Sequence, residues 1–392
     1  MESAASHDRL QALLSTSLAQ AAFRGRHFSF EVVTAPCAAT CTLFYASGFL
    51  TVDTDTHATE HRLRGLKEGL EERHPHCNLV RVVWDGGSLR PAIHALHAVK
   101  EKVTAAAGSV VPWVTGVPHS LLNFSARVLG SPTASQQGGA AAAPAPAPPA
   151  PPEEAPPPLA SAPTAAAAEI FHELNFGNKH SEARVVGEQL GAVLQHLCGG
   201  GGGPATAAAV GRVVLMGHSL GGRVVLHALA SIKPPPQQQA PGLPPHRHLV
   251  HCAALLGAAN TGPEEHGKDG VWRAALGNTG ERLVNVYNSH DPALLSMATL
   301  GRVLTGVDVL VRHRPVGLRE VALPSSCTTG RHGGAIEVRQ GSVLEREHRR
   351  LAAKLLNVDA THLFSGLALK HSYQSVIKHL LSEELAPLFD SR

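Results

Sequence analysis

Residues 213–226 read Val-Val-Leu-Met-Gly-His-Ser-Leu-Gly-Gly-Arg-Val-Val-Leu. The four apolar residues at the start predict a buried strand, and residues 220–232 predict a helix. Ser219 stands at the turn between them, with Gly217 and Gly221 two positions before and after it. A serine at so sharp a turn takes a strained backbone conformation, and flanking glycines let the strand and the helix pass closely. The pattern predicts a nucleophile elbow with Ser219 as the nucleophile.

Apolar, strand-like runs alternate with helix-like segments along the rest of the chain. We predict strands at residues 42–46, 78–84, 212–216, 249–256 and 282–287. We predict helices at residues 8–23, 57–73, 92–107, 168–197 and 220–232. Continuously apolar strands are typical of a parallel sheet that is covered on both faces. Together with the serine turn, the alternation predicts an α/β protein, specifically an α/β-hydrolase fold with a mostly parallel central sheet and helices on both faces.

Three low-complexity stretches interrupt this pattern, at residues 131–168, 199–209 and 234–245. They are rich in Ala, Pro, Gly or Gln and offer few large apolar side chains to offset the entropy of ordering the chain. We interpret them as disordered surface insertions. The predicted organisation is an N-terminal helical segment at 1–24, a single α/β-hydrolase domain formed by 25–130 and 169–392, and the insertion at 131–168.

Two aspartates are candidates for the acid of a catalytic triad. In this fold the acid and then the histidine follow the serine along the chain. Asp291 comes just after the apolar strand at 282–287, at the sheet edge where ligands and catalytic groups gather in α/β proteins. Asp359 also follows a short apolar stretch and is the rival acid. We prefer Asp291, and the residues alone leave the choice open.

The base is expected from the C-terminal part of the chain. Apolar side chains recur at helical spacing in residues 376–381, so His371 lies at the start of a terminal helix. His379 falls inside that helix, and His362 precedes it. We predict that His371 takes the proton of Ser219 during the attack, with His362 as the next candidate.

Two backbone N–H groups are expected to bind the oxyanion that forms during the attack. One is the N–H of Leu220, at the N-terminus of the helix that follows the serine. The other is expected from the loop that begins at Ser47 and Gly48, donated by Phe49 or Leu50. Gly48 would allow close approach of the backbone, although a glycine that only turns the chain is an equally good interpretation.

Composition and charge exclude several classes of function. The formal net charge is +3, and no block of Lys or Arg suggests a nucleic-acid partner. The six cysteines form no CxxC pair, which argues against a zinc site and favours a reducing compartment. No phosphate-binding GxxxxGK[ST] loop is present, and we expect neither a metal nor another cofactor. With no secretory signal and no apolar stretch of roughly 20 residues, we expect a cytoplasmic protein and leave peripheral membrane association open.

Five segments, in a fixed order and rough spacing, carry a family resemblance. They are residues 46–50, 178–197, 217–224, Trp272 with 282–287 and Asp291, and 357–359 with 371–373. In these segments the chain resembles the α/β-hydrolase-fold family that includes the transmembrane and coiled-coil domain-containing protein 4 of animals and related fungal proteins. The resemblance implies a triad of Ser219, Asp291 and His371, and it implies no particular substrate. Members often associate with membranes through segments outside the hydrolase domain, a property not carried over to this chain.

We therefore expect a serine hydrolase, a carboxylesterase or lipase that acts on an ester or lipid substrate through an acyl-enzyme intermediate. The alternative is a catalytically silent α/β-hydrolase scaffold that serves as an interaction protein in membrane traffic. Residues 293–356 contain apolar positions that would form a cap over the site and favour a lipidic acyl group: Leu300, Val303, Leu304, Val307 and Leu310. The acyl length, the movement of such a lid and the oligomeric state do not follow from the sequence.

Overall fold

The computed structural model describes residues 2–20, 28–48, 56–84, 176–198, 208–233, 249–260, 262–263, 269–291, 294, 315–323, 343–365, 373 and 376–390. Several predictions lie outside these residues, and three of them concern whole segments. They are the helix expected at 92–107, the insertion at 131–168 with most of the two shorter low-complexity stretches, and the apolar cap residues between 300 and 310.

Seven strands form one sheet in the part of the chain that is described. They are β1 (Phe28–Thr34), β2 (Cys41–Ala46), β3 (Cys77–Trp84), β4 (Arg212–His218), β5 (Val250–Leu256), β6 (Thr279–Tyr287) and β7 (Leu355–Asp359). Their order across the sheet is β1-β3-β2-β4-β5-β6-β7. Every neighbouring pair is parallel except β1 and β3, which are antiparallel. The five predicted strands are β2 to β6; β1 and β7, at the two edges, were not predicted.

Helices cover both faces of this sheet. They are α1 (Glu2–Gln20), α2 (Thr56–Arg73), α3 (Phe176–Cys198), α4 (Leu220–Ser231), α5 (Asp269–Asn278), α6 (Val343–Ala352) and α7 (Ile377–Ser382). Helix α4 packs between α3 and α5 and lies on β2, β4 and β5, whereas α2 and α7 pack on each other. No helix within the described ranges combines the length and the apolar character that crossing a membrane requires.

The strands are buried on both sides because each face meets a different layer of helices. Val214 and Met216 of β4 belong to the apolar cluster that contains Leu66 of α2 and Leu381 near the end of α7. Successive side chains of a strand point to opposite faces, so Val213 and the other intervening residues face the layer that contains α4. The molecule is thus an α/β protein with a mostly parallel seven-stranded sheet, as the sequence predicts.

Side chains of α1 occupy the outer edge of β1. Gln11 accepts a hydrogen bond from the N–H of Val32 at 2.9 Å and donates its amide to the carbonyl of Phe30 at 2.9 Å. The ring of His7 lies 2.8 Å from the carbonyl oxygen of Val32. These contacts satisfy main-chain groups that an edge strand otherwise presents to solvent.

Residues 315–323 cross the carboxyl ends of β5 and β6. The N–H of Val316 donates to the carbonyl of Asn260 at 2.9 Å, and the N–H of Gly317 donates to that of Ala258 at 3.0 Å. On the other side, the carbonyl of Gly317 accepts from Asn288, also at 2.9 Å. This crossing segment belongs to the long stretch 293–356, and it is held against the sheet edge next to the loops that carry the predicted site residues.

Candidate functional site

The chain reverses direction sharply at Ser219, between the end of β4 and the start of α4. Ser219 has φ 56° and ψ −121°, and it is the only non-glycine residue with positive φ among those the structure describes. An L-residue there bears unfavourable contacts between its Cβ and the backbone, at a cost of about 1–3 kcal/mol. Such strain persists where the surroundings enforce it, and it clusters at functional sites.

Close packing of the main chain enforces this turn. A Cβ on Gly217 would lie 2.2 Å from the carbonyl oxygen of Gly221, and a Cβ on Gly221 would lie 2.0 Å from that of Ala46. Both positions therefore require glycine. The hydroxyl of Ser219 forms no capping bond to helix α4, although serine commonly caps helices.

Hydrogen bonds from the N–H and to the carbonyl of Ser219 hold its main chain in place. Its N–H donates to the carbonyl of Leu256 at 3.0 Å, and its own carbonyl accepts from Gly222 at 3.0 Å and from Ala259 at 3.1 Å. Leu220 follows as the first residue of α4 and is fully buried. The first N–H groups of a helix have no partner within the helix, so the N–H of Leu220 is of the kind that binds anions.

The end of β2 lies directly beside the serine. A Cβ on Gly48 would be 2.5 Å from Ser219 Cβ and 3.2 Å from its Oγ. The indole of Trp84 donates to the carbonyl of Ser47 at 3.0 Å and holds this strand end in place. Phe49 and Leu50, the expected oxyanion donors that come next, lie outside the described residues.

The two candidate acids occupy different environments at adjacent strand ends. Asp291 is fully buried, and its Oδ1 accepts from the N–H of Leu294 at 3.1 Å. Its own N–H donates to the carbonyl of the buried Asn288 at 3.1 Å. Asp359, in register with Tyr287, is exposed, and its Oδ1 accepts from the N–H of Thr361 in a local turn. The carboxylate of Asp291 is thus buried and held by the main chain, whereas that of Asp359 is exposed.

Tyr373 connects the serine turn with the strand that leads to Asp291. Its ring centroid lies 5.6 Å from that of His218, and its hydroxyl donates to the carbonyl of Val286 at 3.3 Å. Gly257 packs so closely that a Cβ there would be 2.7 Å from the tyrosine ring. Burial raises the pKa of the Tyr373 phenol, and the charge of Asp291 raises this pKa further. The phenol is therefore a neutral donor at physiological pH.

The candidate bases are only partly described. His371 lies outside the described residues. His362 belongs to the short 3-10 helix Thr361–Phe364, beside Asp359. His379 is an exposed residue of α7, with its Nδ1 at 3.6 Å from a carboxylate oxygen of Glu383.

A cavity of about 410 Å³ opens at the carboxyl ends of β6 and β7. Its lining residues are mostly polar: Asn288, His290, Asp359, Thr361, His362, Phe364 and Ser365. Neither Ser219 nor Asp291 lines this cavity. It is therefore not, by itself, the space in which Ser219 would meet a substrate.

Comparison with solved structures places the chain beside a hydrolase, with a low overall similarity. The chain is similar to LpqC, a poly(3-hydroxybutyrate) depolymerase from Bordetella parapertussis, at 14% sequence identity and a TM-score of 0.34. The match covers 92% of this chain and 88% of that chain. No protein-family model and no curated protein matches the chain. The fold assignment therefore depends on the strand order and on the turn at Ser219.

The sequence analysis did not select Asn260, a polar residue at the carboxyl ends of the parallel strands. It follows β5 just as Asp291 follows β6, and its side chain is 1% exposed. The rule that functional groups gather at the carboxyl ends of parallel strands would have selected it.

Proposed function

We propose that the protein is a serine hydrolase that cleaves carboxylic esters, as a carboxylesterase or a lipase. Ser219 Oγ attacks the ester carbonyl, His371 accepts the serine proton, and Asp291 orients the imidazole and stabilises its protonated form. The alcohol leaves with the proton that the histidine returns. Water then attacks the acyl-enzyme while the histidine takes its proton. The carboxylic acid leaves, and the histidine returns the proton to Ser219 Oγ.

The backbone conformation of Ser219 is the observation that carries this proposal. A turn needed only for packing would be less strained with glycine at this position, as it has at residues 217 and 221. A serine with φ 56° at the carboxyl end of a central parallel strand is instead the arrangement of a nucleophile elbow.

The proposed partners of Ser219 are supported by neighbouring contacts. Asp291 is a buried carboxylate on a loop held by Asn288. Tyr373 stands two positions after His371 in the sequence and is anchored against both His218 and the end of β6. This anchor supports His371 as the base.

The proposed oxyanion hole combines the N–H of Leu220 with an N–H from Phe49 or Leu50. The contact of Gly48 with the serine supports the second half of this assignment, because it brings the end of β2 next to the reacting hydroxyl. Donors of this kind stabilise the charge that develops on the ester oxygen.

A fluorophosphonate probe tests the proposal directly. We expect the wild-type protein to be labelled at residue 219 and to hydrolyse short-chain nitrophenyl esters. Ser219→Ala should abolish labelling and lower the rate by at least about 1000-fold, in the range known for loss of a nucleophile. The matched control is Ser231→Ala at the far end of the same helix, whose hydroxyl donates to the carbonyls of Ala228 and Glu188.

Absence of both labelling and ester hydrolysis would contradict the proposal. A folded wild-type protein that neither reacts with the probe nor hydrolyses any ester in a panel of lipid and water-soluble esters would refute the hydrolase assignment and leave the scaffold in its place.

Membership of the family that includes the transmembrane and coiled-coil domain-containing protein 4 is part of the same proposal, as is a cytoplasmic location. Burial of Trp272 and the anchoring of Tyr373, two residues of the resembling segments, support the family assignment.

A further inference from the structure

Asn260 carries a buried amide without hydrogen-bond partners. The residue is 1% exposed, and neither Oδ1 nor Nδ2 has a hydrogen-bond partner among the described residues. Among the side-chain amides that the structure describes, no other buried one lacks partners on both atoms; Asn285 lacks a partner only on Oδ1. Burying unpaired polar atoms destabilises a fold, so a native structure that retains such a group usually has a use for it.

The main chain around Asn260 is bonded to the serine turn. The preceding residue, Ala259, donates its N–H to the carbonyl of Ser219 at 3.1 Å. The carbonyl of Asn260 itself accepts from Val316 of the crossing segment at 2.9 Å. Backbone bonds on both sides therefore hold the residue, and none of them uses the side chain. The amide is free to serve a ligand at the edge where substrates of open α/β sheets bind.

We propose that Asn260 determines specificity by binding hydroxyl groups of the substrate close to the scissile ester bond. This inference depends on the proposed hydrolase function and narrows its substrate class to hydroxylated esters. A hydroxyl donates to Oδ1, and a neighbouring hydroxyl accepts from Nδ2, so a polyol ester satisfies both atoms at once. Esters without hydroxyls leave the amide unpaired in the complex, which is the situation in which polar sites reject close analogues.

Matched ester pairs test the proposal. Monobutyrin and propyl butyrate share their acyl group and differ in the hydroxyls of the alcohol; ethyl 2-hydroxybutyrate and ethyl butyrate place the hydroxyl in the acyl group instead. Release of acid in a pH-stat gives kcat/KM for each ester. We expect the wild-type protein to prefer the hydroxylated member of at least one pair by about 10-fold or more, the loss typical of an unpaired buried group. In Asn260→Ala that preference should fall to about 1.

Two further variants separate the loss of the Asn260 amide from a general effect of removing a buried amide. Asn260→Leu retains the branching at Cγ and should lose the preference in the same way. Asn278→Ala removes an amide whose Nδ2 donates to the carbonyls of Leu229 and Ile232 at 2.8 and 2.7 Å, and it should keep the preference. An unchanged preference in both Asn260 variants, with the wild type reacting with fluorophosphonate, would overturn this inference while leaving the hydrolase intact. Failure of the wild type to react would instead overturn the hydrolase itself.

Thermal unfolding supplies a readout that does not depend on activity. Asn278→Ala removes two hydrogen bonds, whereas Asn260→Ala removes none to any residue that the structure describes. We expect Asn278→Ala to lower Tm by at least about 2 °C more than Asn260→Ala. An equal or larger loss in Asn260→Ala would mean that the amide is already satisfied in the free protein, by an enclosed water for example, and would also overturn the inference.

Discussion

The contact between Gly48 and Ser219 allows a quantitative prediction for Gly48→Ala. The added Cβ would lie 2.5 Å from Ser219 Cβ and 2.8 Å from the carbonyl oxygen of His218. Carbon atoms in contact normally stay about 3.5 Å or more apart, so the serine or the end of β2 must move by about 1 Å. A misplacement of about 1 Å at a reacting group costs about 100-fold in rate, which corresponds to about 2.7 kcal/mol of transition-state stabilisation.

The assay for this prediction combines rate with stability. We expect kcat/KM for a short-chain nitrophenyl ester, and the rate of fluorophosphonate labelling, to fall by about 100-fold in Gly48→Ala. Overpacking should lower the free energy of unfolding by about 1–3 kcal/mol, so the variant remains folded at room temperature. Gly270→Ala is the matched control because a Cβ at this position of α5 meets nothing within 4 Å. If Gly48→Ala kept wild-type rates, Gly48 would not lie against a reacting hydroxyl, and the reasoning would be refuted.

Three further predictions concern the serine turn, the acid and the thiols. Ser219→Gly relieves the strain of φ 56°, so denaturant unfolding should find it more stable than Ser219→Ala by about 1 kcal/mol; equal stabilities would show that the turn is unstrained. Asp291→Ala should lower kcat/KM by about 10⁴-fold and Asp359→Ala by less than about threefold, and the reverse ranking would assign the acid to Asp359. At pH 8 iodoacetamide should alkylate the exposed Cys37 and spare Cys252, because burial raises the pKa of the Cys252 thiol to about 11. The neutral thiol thus favours the folded state below about pH 9, and this contribution is lost as the pH rises towards 11; mass spectrometry that finds Cys252 alkylated in the native protein would contradict its burial.

The parallel core of the fold was predictable because its strands are buried on both faces. Strands β2 to β6 each contain a run of mostly apolar residues, and that property is visible without a structure. The edges were harder. In β1 the buried Phe28, Phe30 and Val32 alternate with exposed residues, a pattern typical of a half-covered antiparallel strand. Such a strand contains no continuous apolar run, so it was not predicted. In β7 the burial has no such alternation, since Leu356 and Asp359 are exposed and the other side chains are half-buried.

The candidate site was predictable in part, for a related reason. Ser219 is identified by local spacing, because the glycines around it are dictated by backbone contacts within a few residues. The choice between Asp291 and Asp359 depends on burial, which arises from packing with segments distant in sequence, such as the crossing segment that contacts Asn288. Asn260 was missed because a single polar residue after a strand has no local signal beyond its position.

The hydrogen bonds between α1 and β1 have a consequence for the solution behaviour of the protein. His7 and Gln11 satisfy the N–H and C=O groups that β1 would otherwise offer to a strand from another molecule. Shortening the chain to begin at β1 would uncover this row of donors and acceptors, and two such molecules could then join their sheets edge to edge. Helix α1 would in that case prevent self-association of the protein. Oligomers of the shortened chain that form in a concentration-dependent way would show this effect.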